Sequence, residues 1–232
     1  MLRFVKMENL STACPSIDKL LGDGLPIHQL CLVYGEASSG KTVLALQCAV
    51  EAASNKLRVF YVDSDQSFSA QRLEQLPGGM KEAEHILVFR PDNFPDQTST
   101  IENIEGMLSK TGSLVIVDSV TGLYRVTDDR SRHAVFARNR ELNRQVAYLK
   151  DLASRFEMWV LLTGQVHNTP TGGQWIVEPV ATRTLKHWSD VILHLRPTAR
   201  TNVRECILEK HNGRETRERI LFRIGADGIE DL

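Results

Sequence analysis

This chain of 232 residues is poor in aromatic residues, at 6%, and has almost no net charge, at -1. With so little net charge the protein as a whole does not attract polyanions, so any contact with nucleic acid must come from a local basic surface. No apolar stretch approaches the ~18 residues that a membrane-spanning helix needs. We therefore expect a soluble, cytoplasmic protein without a membrane partner.

Cysteine and histidine patterns that would hold metals are also missing. The four cysteines are widely spaced and form no C-x-x-C pair, which favours buried thiols in a reducing compartment. The seven histidines show no H-x-x-x-H or H-E-x-x-H spacing, so we predict no zinc site. There is no internal repeat and no low-complexity linker, and the length suits a single α/β domain over residues 1–232.

The strongest positive signal is the segment GEASSGKT. It follows the apolar run LCLVY and precedes apolar residues at helical spacing, which is the strand, loop and helix context of a G-x-x-x-x-G-K-[ST] phosphate-binding loop. In this context Lys41 reaches the β- and γ-phosphates and the Thr42 hydroxyl ligates Mg²⁺. The predicted nucleotide-binding residues of the loop are Gly35, Glu36, Ala37, Ser38, Ser39, Gly40, Lys41 and Thr42.

A second nucleotide signal is an apolar strand that ends in a carboxylate. The sequence LVIVDS places Asp118 at the end of that strand, as in a Walker B motif. Because ligands of parallel α/β sheets gather at the carboxyl ends of the strands, Asp118 is expected beside the phosphate loop, holding the Mg²⁺ shell.

Short apolar runs alternate with amphipathic segments along the chain, which predicts a wound parallel sheet. Strands covered on both faces are expected at 57–62, 86–89, 114–117 and 159–163, and the longest helix from about 134 to 156. After Val191, apolar runs separated by Pro197, Asn212-Gly213 and Asp227-Gly228 predict antiparallel hairpins. The predicted fold class is α/β, with a twisted and mostly parallel sheet flanked by helices.

Two further segments carry a resemblance to a known family. The strand at 59–62 ends in DSDQSF, with Arg72 following, and a later strand ends in LLTGQVHN. Together with the phosphate loop, these segments resemble the RecA-like P-loop core of RecA/RadA-type recombinases. The resemblance implies that the cofactors are ATP and Mg²⁺, that Asp65 orients the attacking water, that Gln165 senses the γ-phosphate and that Arg72 stacks on adenine.

The similarity covers nearly the whole chain and is strongest to an archaeal branch that consists of the ATPase core alone. The sequence starts at that core, so we expect no helical DNA-binding domain before it. The resemblance implies an ATP- and DNA-binding recombinase paralogue in DNA repair and homologous recombination. Its implied partners are single-stranded or branched DNA, the main recombinase or another recombination protein, and further copies of the chain.

Three departures from the family limit the implied activity. Asp65 stands where the recombinases usually have Glu, which withdraws the carboxylate from the attacking water and predicts weak Mg²⁺-dependent ATP hydrolysis. No Phe is followed by Ala at the third position after it, so the F-x-x-A segment that joins recombinase subunits is missing and strand exchange is not expected. The segment 167–179 also differs from the DNA loop of the recombinases.

Candidate DNA contacts come from two places. Arg130, Arg132 and His133 are expected in a polar segment that precedes the long helix, where they extend toward phosphates. Trp175 lies in a segment rich in Gly and Pro, where it stacks on an unpaired base or anchors the loop on the core. For the arginines of the helix itself, a solvated face is the favoured interpretation and contact with phosphates is the alternative: Arg138, Arg140 and Arg144.

Two other functions remain open from the sequence. A KaiC-like signalling ATPase has the same core and no role on DNA. An ATP-gated adaptor that loads or regulates the main recombinase barely turns over, and Asp65 favours that alternative.

Overall fold

The structure is a computed structural model that describes residues 8–108, 112–126, 131–171 and 174–232, with the backbone alone at 167–171 and 174–178. Its strands are β1 Asn9–Leu10, β2 Leu25–Pro26, β3 Leu30–Gly35, β4 Arg58–Asp63, β5 Ile86–Phe89, β6 Ser113–Asp118, β7 Met158–Gly164, β8 Val166–Thr171, β9 Gln174–Pro179, β10 Val191–Pro197, β11 Val203–His211, β12 Arg214–Gly225 and β13 Gly228–Asp231. Its α-helices are α1 Pro15–Leu21, α2 Lys41–Ser54, α3 Ala70–Gln75, α4 Gly79–Glu82, α5 Phe94–Ile104, α6 Gly122–Arg125, α7 Arg132–Arg155 and α8 Thr182–Trp188. Short 3₁₀ helices occupy Ala83–His85 and Glu105–Met107.

A nine-stranded sheet, in the order β13-β12-β11-β10-β3-β7-β6-β4-β5, is the centre of the fold. The pairs from β10 through β3, β7, β6 and β4 to β5 are all parallel. Their carboxyl ends therefore meet at one edge, where Asp63 is in register with Asp118 and Gly35 with Leu195. This confirms the predicted α/β class and brings the candidate nucleotide residues to a common edge.

Helices cover both faces of the parallel part. On one face α2 packs through residues such as Leu44 and Leu46, and on the other α5 and α7 pack through residues such as Ile101 and Leu149. β3, β6 and β7 are buried along their whole length because they are covered from both sides. All four cysteines are buried and unpaired, as predicted.

Two strand predictions need correction. The segment 86–89 forms β5 as expected, but β5 is the outermost strand and exposes Leu87 and Val88, so it is not covered on both faces. The change to antiparallel pairing after Val191 occurs one strand later than predicted, because β10 pairs in parallel with β3 and antiparallel with β11. The remaining tail hairpins are antiparallel.

Two loop predictions were also wrong. Val166–Thr171 and Gln174–Pro179 pair as antiparallel strands, β8 and β9, where a loop was expected. The long helix begins at Arg132, because the Ser131 hydroxyl accepts the Ala134 N–H at 3.2 Å and caps the helix there. Arg132 and His133 therefore lie in its first turn and do not precede it.

No helix in the described ranges is long and apolar enough to span a bilayer.

Candidate nucleotide-binding site

The phosphate loop lies between β3 and α2, as the sequence predicts. A side chain at Gly35 would place its Cβ 2.2 Å from the Leu195 carbonyl oxygen, and Gly40 has a φ of 104°. Both positions therefore require glycine, one for space and one for conformation. The Lys41 ammonium donates to the carbonyls of Gly35 and Glu36 at 2.9 and 2.7 Å, so it lies folded over the loop.

Asp118 ends β6 beside this loop and is almost completely buried, at 1% exposure. Its carboxylate accepts hydrogen bonds from Tyr61 at 2.8 Å, from Ser67 at 3.3 Å and from the Thr163 hydroxyl. These three hydroxyls satisfy the buried charge and fix the orientation of the carboxylate. Asp118 is thus held in place at the carboxyl edge by neighbouring strands.

The residues at this edge fit a nucleotide with Mg²⁺. Burial lowers the pKa of Lys41, and the nearby carboxylates of Asp118, Asp65 and Glu36 oppose that shift. The phosphates of a bound nucleotide would pair with this cation, and their metal ion would pair with the carboxylates. The buried Ser39 hydroxyl in the loop forms no hydrogen bond with the residues that the structure describes, so it has capacity for a further partner.

Asp65 and Gln165 are brought together although a hundred positions separate them in sequence. Gln165 Nε2 donates to Asp65 Oδ2 at 3.1 Å, and its Oε1 accepts from Arg125 at 2.6 Å. The other carboxylate oxygen of Asp65 lies so close to Gly122 that a Cβ there would be 1.9 Å from it. Burial raises the pKa of Asp65, while the hydrogen bond from Gln165 and the charge of Lys41 oppose the rise.

Asp63, by contrast, is occupied by contacts that hold the backbone. It is fully buried and accepts the backbone N–H groups of Ser67 at 2.8 Å and Phe68 at 3.1 Å. The guanidinium of Arg90 completes its partners at 3.2 Å. These contacts hold the turn after β4 and thereby position Asp65.

A cavity of about 480 Å³ opens beside the loop. Its lining includes Arg72, the residue that the resemblance predicts to stack on adenine. The C-terminal hairpins also contribute, and Arg204 donates to the Ser38 carbonyl at 3.1 Å. No motif in the sequence marks the lining residues of this part of the chain: Thr201, Asn202, Arg204 and Ile224.

A polar cluster surrounds Tyr34, the residue that directly precedes the phosphate loop. The Tyr34 hydroxyl donates to Glu209 at 2.7 Å, and the Tyr34 ring stacks on His194 at 4.3 Å between centroids. Burial alone would raise the pKa of Glu209, but the contacts with His194 and Tyr34 and the charge of Lys186 together lower it from 4.5 to about 2.

We predict that this cluster stabilises the protein in a pH-dependent way. Because the pKa of Glu209 is lower in the folded than in the unfolded state, its contribution is complete above about pH 4.5 and is lost as the pH falls toward 2. The shift corresponds to about 3 kcal/mol. Glu209→Gln should lose this part of the acid dependence in urea unfolding between pH 2.5 and 7. Glu218→Gln, at an exposed position of β12, is the control. Parallel acid limbs for Glu209→Gln and wild type would contradict the prediction.

The candidate DNA-binding residues differ in their surroundings, and the structure does not describe all of them. Arg132 and His133 are exposed in the first turn of α7. Arg130 lies outside the described residues. Trp175 belongs to β9, opposite Pro170 in the hairpin, and its side chain also lies outside the described part. Arg144 is engaged by Glu141 and Glu102, in agreement with a solvated ion-paired face.

Comparison with known proteins agrees with this geometry. The family model described as Rad51 matches residues 3–232. DNA repair and recombination protein RadB of Methanothermobacter thermautotrophicus is 32% identical over 220 residues, which cover 92% of each chain. The protein of the same name from Thermococcus onnurineus is 34% identical over 228 residues, which cover 96% of this chain and 97% of the relative. A crystal structure of the RadB recombinase aligns with a TM-score of 0.80 and 32% identity, covering 96% of this chain and 99% of that one.

The sheet order and the phosphate loop define a RecA-like P-loop protein of the Rad51 family. Within this class, the identity and coverage of the relatives show that the chain belongs to the RadB family.

Proposed function

We propose that this protein binds Mg·ATP and DNA, hydrolyses ATP slowly and takes part in DNA repair and homologous recombination without performing strand exchange by itself. The observation that carries the proposal is the meeting of Lys41, Asp118, Asp65 and Gln165 at one sheet edge, in a chain of the RadB family. Bound Mg²⁺ would supply charge stabilisation to the phosphates.

The roles of the protein's own residues follow from their positions. Lys41 would turn from the loop carbonyls toward the β- and γ-phosphates, and Thr42 and Asp118 would hold the metal ion. Arg72 would cover the base at the cavity wall. Asp65 would orient the attacking water, and the short Asp side chain would keep that water at a distance that makes hydrolysis slow.

Gln165 offers a physical link between the nucleotide and DNA. It contacts Asp65 on one side and Arg125 on the other, and its backbone N–H donates to the Thr121 hydroxyl at 3.1 Å. Arg125 ends α6, which leads toward α7, and Gln165 directly precedes the β8–β9 hairpin. A change at the γ-phosphate would therefore reach both segments that carry the candidate DNA contacts.

Fluorescence anisotropy with single-stranded, duplex and branched DNA tests the proposal. We expect binding that weakens with salt and is stronger with Mg·ATP. Arg132→Ala should lower the slope of log affinity against log salt by ~0.7 on single strands, because one phosphate contact is lost. Arg125→Ala should reduce the effect of Mg·ATP. Arg214→Ala, in the tail hairpin, is the charge-matched control. Failure of the wild type to bind any of these DNAs at low salt would overturn the DNA part and favour the signalling alternative.

The adaptor function stays a second candidate because Asp65 is shorter than the usual Glu. It requires that Mg·ATP change the affinity for the main recombinase. Equal affinities with and without Mg·ATP, measured by calorimetry with the purified recombinase, would contradict it.

A further inference from the structure

The first part of α7, residues 132–141, lies on the surface of the protein beside α5 and α6, and we call it the α7 arm. None of its residues is buried, whereas from Leu142 onward the helix contributes a buried stripe to the core. α7 connects β6 to β7 in a parallel sheet, so it runs opposite to the strands and begins at their carboxyl edge. The α7 arm therefore lies at the same edge as Asp118 and Gln165.

Phe136 is the unusual residue of the α7 arm, since 68% of its surface is exposed. On a helix with 3.6 residues per turn, it lies about 140° away from the buried Leu149. The ring therefore faces away from the core. A single exposed apolar side chain is common on protein surfaces, so the neighbours of Phe136 must decide whether it has a function.

Those neighbours are cationic. Arg132 and Arg140 lie four residues before and after Phe136, which puts the three side chains along one side of the helix. Along the helix axis, the Cα atoms of Arg132 and Arg140 each lie about 6 Å from the Cα atom of Phe136. Both arginines are exposed, and neither forms a salt bridge with a residue that the structure describes. The stretch RHAVFARNR contains no acidic residue, so the surface around the ring is positive.

We propose that the α7 arm binds single-stranded DNA, with the ring of Phe136 stacked on an unpaired base and with Arg132 and Arg140 on the flanking phosphates. The inference deepens the proposed function and rests on it. An aromatic ring between cations is the combination that binds single strands, because every base offers a face for stacking and the backbone offers charge. Duplex DNA keeps its bases stacked on each other, so the ring gains nothing there.

The structure also separates Arg140 from its neighbour Arg144. Arg144 is neutralised by Glu141 and Glu102 on the side of α7 that faces α5. Arg140, one turn earlier and about 40° around the helix, lines the same cavity beside α5, but no salt bridge joins it to a carboxylate of the described residues. Arg140 is therefore available for a phosphate and Arg144 is not, although both have the same helical spacing in the sequence.

Substitution of Phe136 by Ala, Leu, Tyr or Trp tests the stacking. Affinity for an oligo-dT strand should fall about 5- to 150-fold in Phe136→Ala. Phe136→Leu keeps an apolar side chain without a ring and should fall similarly, while Phe136→Tyr and Phe136→Trp should retain the affinity. The salt slope should stay at the wild-type value in Phe136→Ala, and should decrease in Arg132→Ala and Arg140→Ala. A strand of abasic sugar phosphates should bind wild type and Phe136→Ala equally.

The outcomes separate the two levels of the proposal. If wild type binds oligo-dT and Phe136→Ala binds it equally well, the stacking is wrong while the proposed function stands. Full affinity in Phe136→Leu would also overturn it, by showing an apolar contact without stacking. A Phe136→Ala protein that changes its mass in light scattering would identify the α7 arm as an interface between copies of the chain, and would overturn the inference too. If wild type binds no DNA, the proposed function itself fails.

Discussion

Replacing Lys41 with alanine is expected to abolish the thermal stabilisation of the protein by Mg·ATP. At a nucleotide concentration of 100 Kd, binding stabilises the wild type by ~2.7 kcal/mol. For a chain of this length that raises Tm by about 5–10 °C. Without the ammonium, the phosphates would face Asp118, Asp65 and Glu36 with no cation from the loop. The variant should therefore show no shift.

Differential scanning fluorimetry with and without Mg·ATP measures this effect directly and does not depend on turnover. Lys19→Ala, an exposed lysine on α1, is the matched control and should keep the full shift. Lys41 also donates to two loop carbonyls, so the variant's own Tm without nucleotide must be measured as the baseline. A shift of wild-type size in Lys41→Ala would remove the phosphate loop from the proposed mechanism.

Replacing Asp65 with glutamate is expected to raise the rate of ATP hydrolysis by about a hundredfold, because a displacement on the order of 1 Å can change a rate by that factor. The extra methylene moves the carboxylate toward the attacking water. Steady-state phosphate release under saturating Mg·ATP measures the rate.

Asp65→Asn is the size-matched control for this prediction. It should lose the remaining hydrolysis and keep the thermal shift with Mg·ATP, since it removes the charge without changing the length of the side chain. Burial raises the pKa of Asp65, so the residual wild-type activity should decline on acidification at a higher pH than an ordinary aspartate would give. A wild-type rate equal to that of an active recombinase, together with an unchanged rate in Asp65→Glu, would contradict the argument.

The phosphate loop and Asp118 could be predicted because the residues that define each of them are contiguous in the sequence. A phosphate loop needs a strand, two glycines, a lysine and a helix in sequence order, and the structure has β3, the loop and α2 there. Asp118 follows the same logic, since the strand and its terminal carboxylate are contiguous. The hydrophobic runs that predicted β4, β6 and β7 were equally local.

The errors arose where neighbours distant in sequence decide the outcome. β5 has the same apolar pattern as a covered strand, but its position at the edge of the sheet leaves Leu87 and Val88 exposed. The segment after Gln165 has the composition of a loop, yet cross-strand pairing makes it a hairpin. The start of α7 depended on one capping hydroxyl, that of Ser131.

The sequence by itself determined the α/β class and the places of the candidate phosphate loop and of Asp118, because these depend on residue types and spacings within single segments. Only the tertiary structure decided that Arg204 reaches the phosphate loop, that Glu209 holds Tyr34 behind it, and that Gln165 joins Asp65 to Arg125. The face of α7 that carries Phe136 was likewise visible only once the buried stripe was known. These relations depend on the register and order of strands that are far apart in the chain, and the free energy that fixes register comes from burying whole faces of the sheet.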